Sequence, residues 1–489
     1  MIKLAPYADQ VFIAGEWRPA TGGATLSLEN PSTGEQIGSI AAATSGDVDA
    51  AVCAAHAALD GSWGESTAAE RGRILAKMSA AVAEKVDSLA GIEAADVGKP
   101  LKQARADALA LARYLEFYAG AADKFHGETI PYLKDYTVYT LREPHGVTAH
   151  IIPWNYPMQI IGRSVVAALA TGNAVVLKPA EEACLTALEF ARIATDAGLP
   201  AGALNVTPGT GEEAGAALAA HPGVNHVSFT GSTEVGVAVQ AAAARNTVPV
   251  TLELGGKSPQ LVFDDADIDA ALPYLVNAGI QNAGQTCSAG SRILVQRGIY
   301  DSLVERLSAR FAALRVGPAT DDLDLGPLIS AQQKARVTSF LERAQQSGLE
   351  AVARGTVVES APTGGHYVQP ALFTDVEAAN ELACEEIFGP VVVVIPFATE
   401  AEAVALANGA GYGLVAGVWT RDGARQMRLA RKLRAGQVFI NNYGAGGGVE
   451  LPFGGVGRSG HGREKGFEAL YSFTTVKTVA ALHAKGNAQ

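Results

Sequence analysis

The spacing of apolar residues divides the chain into a helical stretch and two stretches of alternating strands and helices. Over residues 46–120 apolar positions recur every three to four residues, notably at 71–89 and 102–118, which predicts helices. From residue 146 the runs GVTAHIIP, NAVVLKP, ALNVTPG, NHVSFTG and PVTLELGG predict strands, with helices between them at 158–170, 185–197, 212–220 and 233–244. This alternation predicts a right-handed, doubly wound parallel sheet of the α/β class.

A second alternating stretch begins near residue 260. It contains predicted helices at 268–281 and 300–314 and the strand patterns SRILVQ, VVVVIPF and QVFINN, which indicate a second α/β domain. DYTVYTLREP and SFTTVKTVAAL alternate as exposed strands do, but neither has an obvious local partner. They could pair across a subunit interface or form an ordinary edge hairpin, and the pattern alone leaves both open.

Composition narrows the function classes. The chain has 489 residues, about three domain lengths, and 48% hydrophobic against 18% charged residues excludes wholesale disorder. A net charge of -12 with no block of basic residues makes a nucleic-acid partner unfavourable. No apolar run reaches the ~20 residues of a membrane span, and the start of the chain has no secretory pattern. We therefore expect no membrane association and a cytoplasmic protein.

The four cysteines are Cys53, Cys184, Cys287 and Cys384, too few and too scattered for a disulfide framework or a zinc site. Cys287 lies in the loop GQTCSAG, whose small residues leave a sulfur approachable, so we predict a nucleophile that needs activation. The other three are expected to be small buried hydrophobes. A cysteine protease would need a histidine base, and His461 alone among the histidines lies in a comparable glycine loop.

The residues at two strand ends suggest a nucleotide-binding site. Gly231 and Ser232 open the turn GSTEVG after one strand, where glycine and a helix N-terminus can approach a phosphate, although a plain turn fits equally well. Lys178 and Glu181 end another strand in KPAE. A carboxylate there can accept from a ribose 2′-hydroxyl and would repel a 2′-phosphate, which favours NAD over NADP.

Two polar side chains are candidates for catalysis. Glu253 interrupts an apolar strand, so it is either paired with a cation such as Lys257 or held with a raised pKa for proton transfer. Asn155 follows the first strand of the sheet, where its amide could donate to an oxyanion or cap the next helix.

The motifs PWNYP, KPAE, FTGSTEVG, LELGGKSP, GQTCSAG, EEIFGPV and PFGGVGRSGHGRE, in this order, resemble the NAD(P)-dependent aldehyde dehydrogenase superfamily over nearly the whole chain. The resemblance implies that Cys287 is the nucleophile and Glu253 the general base. Asn155 and the backbone N–H of Cys287 would form the oxyanion hole, with Glu464 as a proton relay. Because acylating relatives generally lack a base at the Glu253 position, we expect thioester hydrolysis to a carboxylic acid.

The resemblance also implies a cofactor site for NAD. Its residues are Ile152, Trp154, Lys178, Glu181, Gly211, Gly231, Ser232, Glu386 and Phe388. The implied domains are an NAD-binding domain at 1–125 and 146–256, a catalytic domain at 257–471, and an oligomerisation element at 126–145 and 472–489. A homodimer or homotetramer is expected.

The substrate is less sharply indicated. Arg163 lies about two helical turns beyond Asn155 and could meet a substrate carboxylate, as in enzymes similar to succinic semialdehyde dehydrogenase, or form a structural salt bridge. Tyr156 and Phe453 are expected to line the aldehyde site, and the glycine-rich loop 444–449 predicts a wide entrance. The rival functions are a non-redox cysteine acyltransferase or esterase and a non-catalytic binding protein.

Overall fold

The computed structural model describes residues 6–444 and 448–483. Its strands are β1 (Val11–Ile13), β2 (Glu16–Arg18), β3 (Thr25–Asn30), β4 (Glu35–Ala41), β5 (Tyr136–Pro144), β6 (Val147–Ile151), β7 (Ala174–Lys178), β8 (Leu204–Val206), β9 (His226–Thr230), β10 (Val250–Glu253), β11 (Pro259–Val262), β12 (Arg292–Gln296), β13 (Arg315–Val316), β14 (Ala351–Arg354), β15 (Thr356–Val357), β16 (Ala371–Phe373), β17 (Val391–Phe397), β18 (Val415–Trp419), β19 (Gln437–Ile440), β20 (Gly460–His461) and β21 (Thr474–Leu482). Its helices are α1 (Ser45–Leu59), α2 (Ala68–Glu84), α3 (Val86–Val97), α4 (Leu101–Ala121), α5 (Pro157–Ile160), α6 (Val166–Ala170), α7 (Leu185–Asp196), α8 (Ala216–Ala219), α9 (Thr233–Ala244), α10 (Ile268–Ile280), α11 (Tyr300–Ala312), α12 (Ala331–Gln346), α13 (Glu381–Cys384), α14 (Glu400–Asn408), α15 (Gly423–Lys432) and α16 (Gly466–Ser472).

The first sheet has the order β2-β1-β8-β7-β6-β9-β10-β20. The five central strands β8, β7, β6, β9 and β10 are parallel to one another. On the two sides, β1 pairs antiparallel with β8 and β20 pairs antiparallel with β10. The predicted α/β class with a doubly wound parallel sheet is confirmed. Because the carboxyl ends of parallel strands meet at one edge, the segments after β6, β7, β9 and β10 lie close together.

The second sheet has the order β14-β16-β17-β12-β11-β18-β19 and is parallel except for β14. Each sheet is covered by helices and has its own large apolar core. This confirms the second α/β unit. The domain boundaries stay a prediction: β20, inside the predicted catalytic range, pairs with β10 of the first sheet.

One helix predicted before the first sheet is two helices, α2 and α3, in the structure. The predicted run 71–89 is interrupted at Lys85, whose backbone leaves the helical conformation with φ -108° and ψ 12°. Its N–H donates to the Val82 carbonyl at 3.0 Å and so closes α2. Apolar spacing continues across the break because α2 and α3 both bury one face, so the pattern could not reveal it.

The two strands without local partners pair with each other. β5 and β21 form an antiparallel two-stranded sheet in which Tyr136 faces Leu482 and Pro144 faces Thr474. They join within one chain across more than 300 intervening residues, and contact of this sheet with another subunit stays a prediction. Within the described ranges, every helix is too short or too polar to cross a membrane.

Candidate active site

A cavity of about 470 Å³ opens where the carboxyl edge of the first sheet faces the second α/β unit. Eleven of the residues predicted from the sequence line it: Trp154, Asn155, Tyr156, Arg163, Gly231, Ser232, Glu253, Cys287, Glu386, Phe388 and Phe453. They come from segments scattered over about 300 residues of the chain, and the fold brings them together.

Cys287 lies in a tightly held loop between α10 and β12. Asn282 and Ala283, just before it, adopt left-handed conformations with φ 50° and 54°. Tyr443 donates its hydroxyl hydrogen to the Ser288 carbonyl just after it. Cys287 is half-buried, and burial raises the pKa of its thiol to about 12. The thiol therefore needs a proton acceptor before it can act as a nucleophile.

The expectation that the other three cysteines are buried is wrong for two of them. Cys184 is buried at the start of α7, but Cys53 is exposed on α1 and Cys384 is half-buried. The reason for Cys53 is that α1 is rich in alanine, so the pattern barely distinguishes its buried face from its exposed face.

Asn155 is tied to the loop that carries Cys287. Its side-chain Nδ2 donates to the Gln285 carbonyl at 3.0 Å, and its own carbonyl accepts from Asn282 Nδ2 at 3.1 Å. Tyr156, not Asn155, stands at the N-terminal boundary of α5, and that boundary has no side-chain cap. The amide is therefore aimed at the cysteine loop, as an oxyanion donor requires, and the capping alternative is wrong.

Glu253 ends β10 in the interior and is only 1% exposed. Neither carboxylate oxygen has a hydrogen-bond partner among the described residues. Burial first, and the charge of Glu464 second, raise the pKa of Glu253 well above its usual range, while Arg163 and Arg463 oppose the shift. Lys257 forms no ion pair with it in the described structure, so the raised-pKa alternative applies.

Arg163 and Glu464 form a buried ion pair close to Glu253. Ser228 donates to the second oxygen of Glu464 at 3.1 Å, and Arg163 donates to Thr230 at 3.4 Å. The Arg163 guanidinium also lies 4.7 Å from the centre of the Phe453 ring on the cavity wall. Arg163 therefore makes the structural salt bridge and lines the cavity, whereas Glu464 lies behind the cavity surface.

A further carboxylate on the cavity wall, that of Glu386, is held by a glycine turn. Gly256 donates its N–H to Glu386 Oε1 at 2.9 Å, and a β-carbon at Gly255 would overlap the same carboxylate. Trp154 and Phe388 meet edge to face with ring centres 5.4 Å apart. A fixed carboxylate beside an aromatic wall and glycine backbone fits a ribose and an adjoining ring of a dinucleotide.

The remaining cofactor candidates lie outside this cavity, at neighbouring strand ends. Lys178 and Glu181 form an ion pair at 2.9 Å after β7, and the Ile152 N–H donates to the Lys178 carbonyl at 3.1 Å. Gly211 begins a helical turn after β8. Next to them on the cavity wall, Ser232 caps α9 by accepting from the Val235 N–H at 3.2 Å. These positions continue the same sheet edge.

Several lining residues were missed by the sequence reading: Tyr114, Gln159, Gln333, Arg336, Tyr412, Arg458 and Lys465. Arg458 and Lys465 lie in or beside the quoted motif PFGGVGRSGHGRE, which was a usable signal. Tyr114 and Arg336 lie on helices far from any motif, and nothing local marks them. The predicted wide entrance at 444–449 cannot be compared, because residues 445–447 lie outside the described residues.

The chain was also compared with known proteins. The sequence profile of the aldehyde dehydrogenase family matches residues 17–479. An aldehyde dehydrogenase of Emericella nidulans is 44% identical over 472 residues, which cover 96% of this chain and 94% of the relative. A Burkholderia cenocepacia protein proposed to be an aldehyde dehydrogenase has a crystal structure with a TM-score of 0.97 and 64% identity, covering 97% of this chain and 100% of that one. An NAD+ complex of an aldehyde dehydrogenase from Bacillus cereus has a TM-score of 0.94 and 40% identity, covering 98% and 99%.

The fold and the matches together define the class: the chain belongs to the aldehyde dehydrogenase family. It is an enzyme that oxidises aldehydes.

Proposed function

We propose that this enzyme uses NAD to oxidise an aldehyde to its carboxylic acid through a thioester on Cys287. The observation that carries the proposal is that Cys287, Asn155 and Glu253 line one cavity, with Asn155 hydrogen-bonded to the cysteine loop. A nucleophile, an oxyanion donor and a base are the groups that acyl chemistry requires.

In the first step the Cys287 thiol releases its proton to water, the sulfur forms a bond to the aldehyde carbon, and the carbonyl oxygen becomes an oxyanion. The Asn155 amide and the Cys287 backbone N–H stabilise that oxygen, each typically contributing about a hundredfold to a thousandfold in rate. Arg163 favours the thiolate electrostatically and so opposes the effect of burial on the thiol. NAD, when bound beside Cys287, supplies the acceptor for the two electrons and the hydrogen that leave the aldehyde carbon.

The second half of the reaction depends on Glu253. Its carboxylate takes a proton from water, the water oxygen bonds to the thioester carbon, and the C–S bond breaks to release the acid and restore Cys287. A buried carboxylate that has a raised pKa and no hydrogen-bond partner among the described residues is suited to this role. Glu464, held by Arg163 and Ser228, is close enough to influence that pKa and is proposed to pass the proton onward.

The chain offers a set of residues for NAD. Glu386 and Phe388 would hold the nicotinamide ribose, Trp154 and Ser232 the pyrophosphate region, with Ile152, Gly211 and Gly231 along the same sheet edge. Lys178 and Glu181 would hold the adenosine ribose. We propose a preference for NAD over NADP because the Glu181 carboxylate would repel a 2′-phosphate, whereas its ion pair to Lys178 fixes it for a 2′-hydroxyl.

The test is NADH production over aliphatic, aromatic and ω-carboxylated aldehydes, with NAD and NADP compared. Cys287→Ala should abolish NADH production, whereas Cys53→Ala, a cysteine exposed on α1, should retain it. Full NADH production by Cys287→Ala would refute the proposed chemistry. Thioester or ester turnover without any NADH would instead support the acyltransferase or esterase alternative, and cofactor binding without turnover the non-catalytic one.

For the substrate, the alternative of carboxylate-bearing aldehydes has one specific support. Arg163 and Lys465 both line the cavity, so two basic side chains lie along its wall, and burial lowers the pKa of Lys465 to about 7. The ion pair of Arg163 with Glu464 weakens this support, because it already neutralises the guanidinium. If Arg163 binds a substrate carboxylate, Arg163→Leu raises the Michaelis constant for aldehyde acids more than for neutral aldehydes of equal length. Equal changes would leave the broad substrate range as the better proposal.

We also propose that residues 126–145 and 472–489 assemble the enzyme into a homodimer or homotetramer in the cytoplasm. The β5–β21 sheet exposes apolar side chains such as Tyr139, Leu141 and Val476, which suits an interface. Sedimentation of the full chain and of Val476→Asp should give different masses if this sheet forms the contact.

A further inference from the structure

A fully buried charge cluster lies behind the cavity wall that carries Asn155. The ammonium of Lys99, between α3 and α4, lies 2.6 Å from a carboxylate oxygen of Glu93 and 2.5 Å from one of Asp107. The three side chains are between 0% and 4% exposed. Such clusters contribute little net stability, because desolvation of the charges offsets much of their attraction. Stability alone is therefore a weak reason for its presence.

The cluster contacts two residues of the cavity wall. The Lys99 ammonium lies 4.1 Å from the centre of the Tyr156 ring, in a cation–π contact. Asp107 accepts a hydrogen bond from Gln159 Nε2 at 2.5 Å. Tyr156 and Gln159 both line the cavity, and Tyr156 directly follows Asn155 in the chain.

Helix α4, which carries Asp107, also contacts the loop that holds Cys287. Gln103, one turn before Asp107 on α4, accepts from the Asn282 backbone N–H at 3.0 Å. The Asn282 side chain in turn donates to the Asn155 carbonyl at 3.1 Å. One face of α4 is therefore in contact with both segments that must be aligned for an aldehyde to meet Cys287.

We propose that Lys99 is a positioning residue for aldehyde oxidation. Through the Tyr156 ring and through Asp107 to Gln159, it sets the wall against which the aldehyde is oriented beside Cys287. The inference rests on the proposed function of that cysteine. Displacing such a wall by a fraction of an ångström misaligns the carbonyl, and alignment of this kind carries large rate factors.

The test measures aldehyde kinetics of the whole enzyme, with an aliphatic and an aromatic aldehyde. Lys99→Met should lower kcat/KM for aldehyde at least about tenfold, because the displaced wall misaligns the aldehyde carbonyl, and leave the KM for NAD within about twofold. Lys102→Met is the matched control, because Lys102 is an exposed lysine three residues away. It should behave as the unaltered enzyme.

A double-mutant cycle separates positioning from a general structural role. If Lys99 acts through the ring, Tyr156→Leu produces a similar loss, and adding Lys99→Met to it produces little further loss. Losses that multiply would overturn the coupling to Tyr156. An unaltered enzyme that makes no NADH from any aldehyde would refute the proposed function itself, and this outcome differs from one in which only the Lys99 variants disagree.

A second variant guards against misfolding, since Lys99→Met leaves two buried carboxyls without their cation. Replacing Glu93 and Asp107 with leucine together with Lys99→Met makes the cluster apolar, a change that buried ionic clusters often tolerate without loss of stability. This triple variant should keep its melting temperature and still lose aldehyde kcat/KM. Full kcat/KM in the folded triple variant would overturn the proposal.

Discussion

Glu253→Gln offers the sharpest test of the hydrolytic half of the reaction. The side chain is 1% exposed, and neither carboxylate oxygen has a hydrogen-bond partner in the part of the chain that the structure describes. Glutamine has nearly the same shape, so the substitution removes the proposed base and little else. We expect kcat to fall about a hundredfold to ten-thousandfold, the usual contribution of a general base. This corresponds to about 2.7 to 5.5 kcal/mol of activation free energy.

The structure also predicts how that loss depends on pH. Burial and the charge of Glu464 raise the pKa of Glu253 well above its usual range, so the fraction of enzyme with an ionised Glu253 grows as pH rises through that raised pKa. The rate of the unaltered enzyme should therefore rise with pH through the pKa of Glu253, and the rate of Glu253→Gln should lack that rise. The ratio of the kcat of the unaltered enzyme to the kcat of the variant is then smallest at low pH and grows as pH increases.

Stopped-flow absorbance in the reduced-nicotinamide band distinguishes the two half-reactions. Because the proposed thioester would form through Cys287 and Asn155, Glu253→Gln should give a burst of NADH equal to the concentration of active sites, followed by slow turnover. Mass spectrometry of the quenched variant should find the acyl group on Cys287. A variant with normal kcat, or one that turns over slowly without any burst, would refute the assigned role.

Stability gives an internal control for this variant. Since the folded-state pKa of Glu253 is raised above its unfolded value, ionisation disfavours the folded state as pH rises through the folded-state pKa. Glutamine removes that effect. We expect thermal unfolding of Glu253→Gln at alkaline pH to occur at the same or a higher temperature than in the unaltered enzyme, so a kinetic loss cannot be assigned to unfolding.

Three further substitutions test other parts of the site. Asn155→Ala should lower kcat about a hundredfold to a thousandfold without an NADH burst, because oxyanion stabilisation is needed before the thioester forms; a normal burst rate would contradict this. Glu464→Gln removes the negative charge that raises the pKa of Glu253, so the rising limb of the kcat–pH profile should move to lower pH, and an unmoved limb would count against their coupling. Gly255→Ala adds a β-carbon that overlaps the Glu386 carboxylate, so the KM for NAD should rise several-fold while the KM for aldehyde changes little; Gly120→Ala, where a β-carbon meets nothing within 4 Å, is the control.

Local patterns in the sequence determined a large part of this protein. The alternation of strands and helices predicted the first parallel sheet and a second α/β unit, since buried parallel strands read as apolar runs. Cys287, Glu253 and Asn155 were identifiable because each is chemically unusual where it stands: a thiol among small residues, a carboxyl in an apolar strand, and an amide at a strand end. Their roles depended on the order of the motifs, not on any single one.

The tertiary structure decided whatever depends on contacts between distant segments. Arg163 could bind a substrate or a carboxylate of the protein, and only the fold shows that Glu464, 301 positions later, is its partner. The pairing of β5 with β21 and the contacts of the Lys99 cluster with Tyr156 and Gln159 are likewise set by neighbours from other parts of the chain. Apolar periodicity reports which face of an element is buried, but it does not report what that face meets. For this reason the sequence determined the elements and the candidate groups, and packing determined their partners.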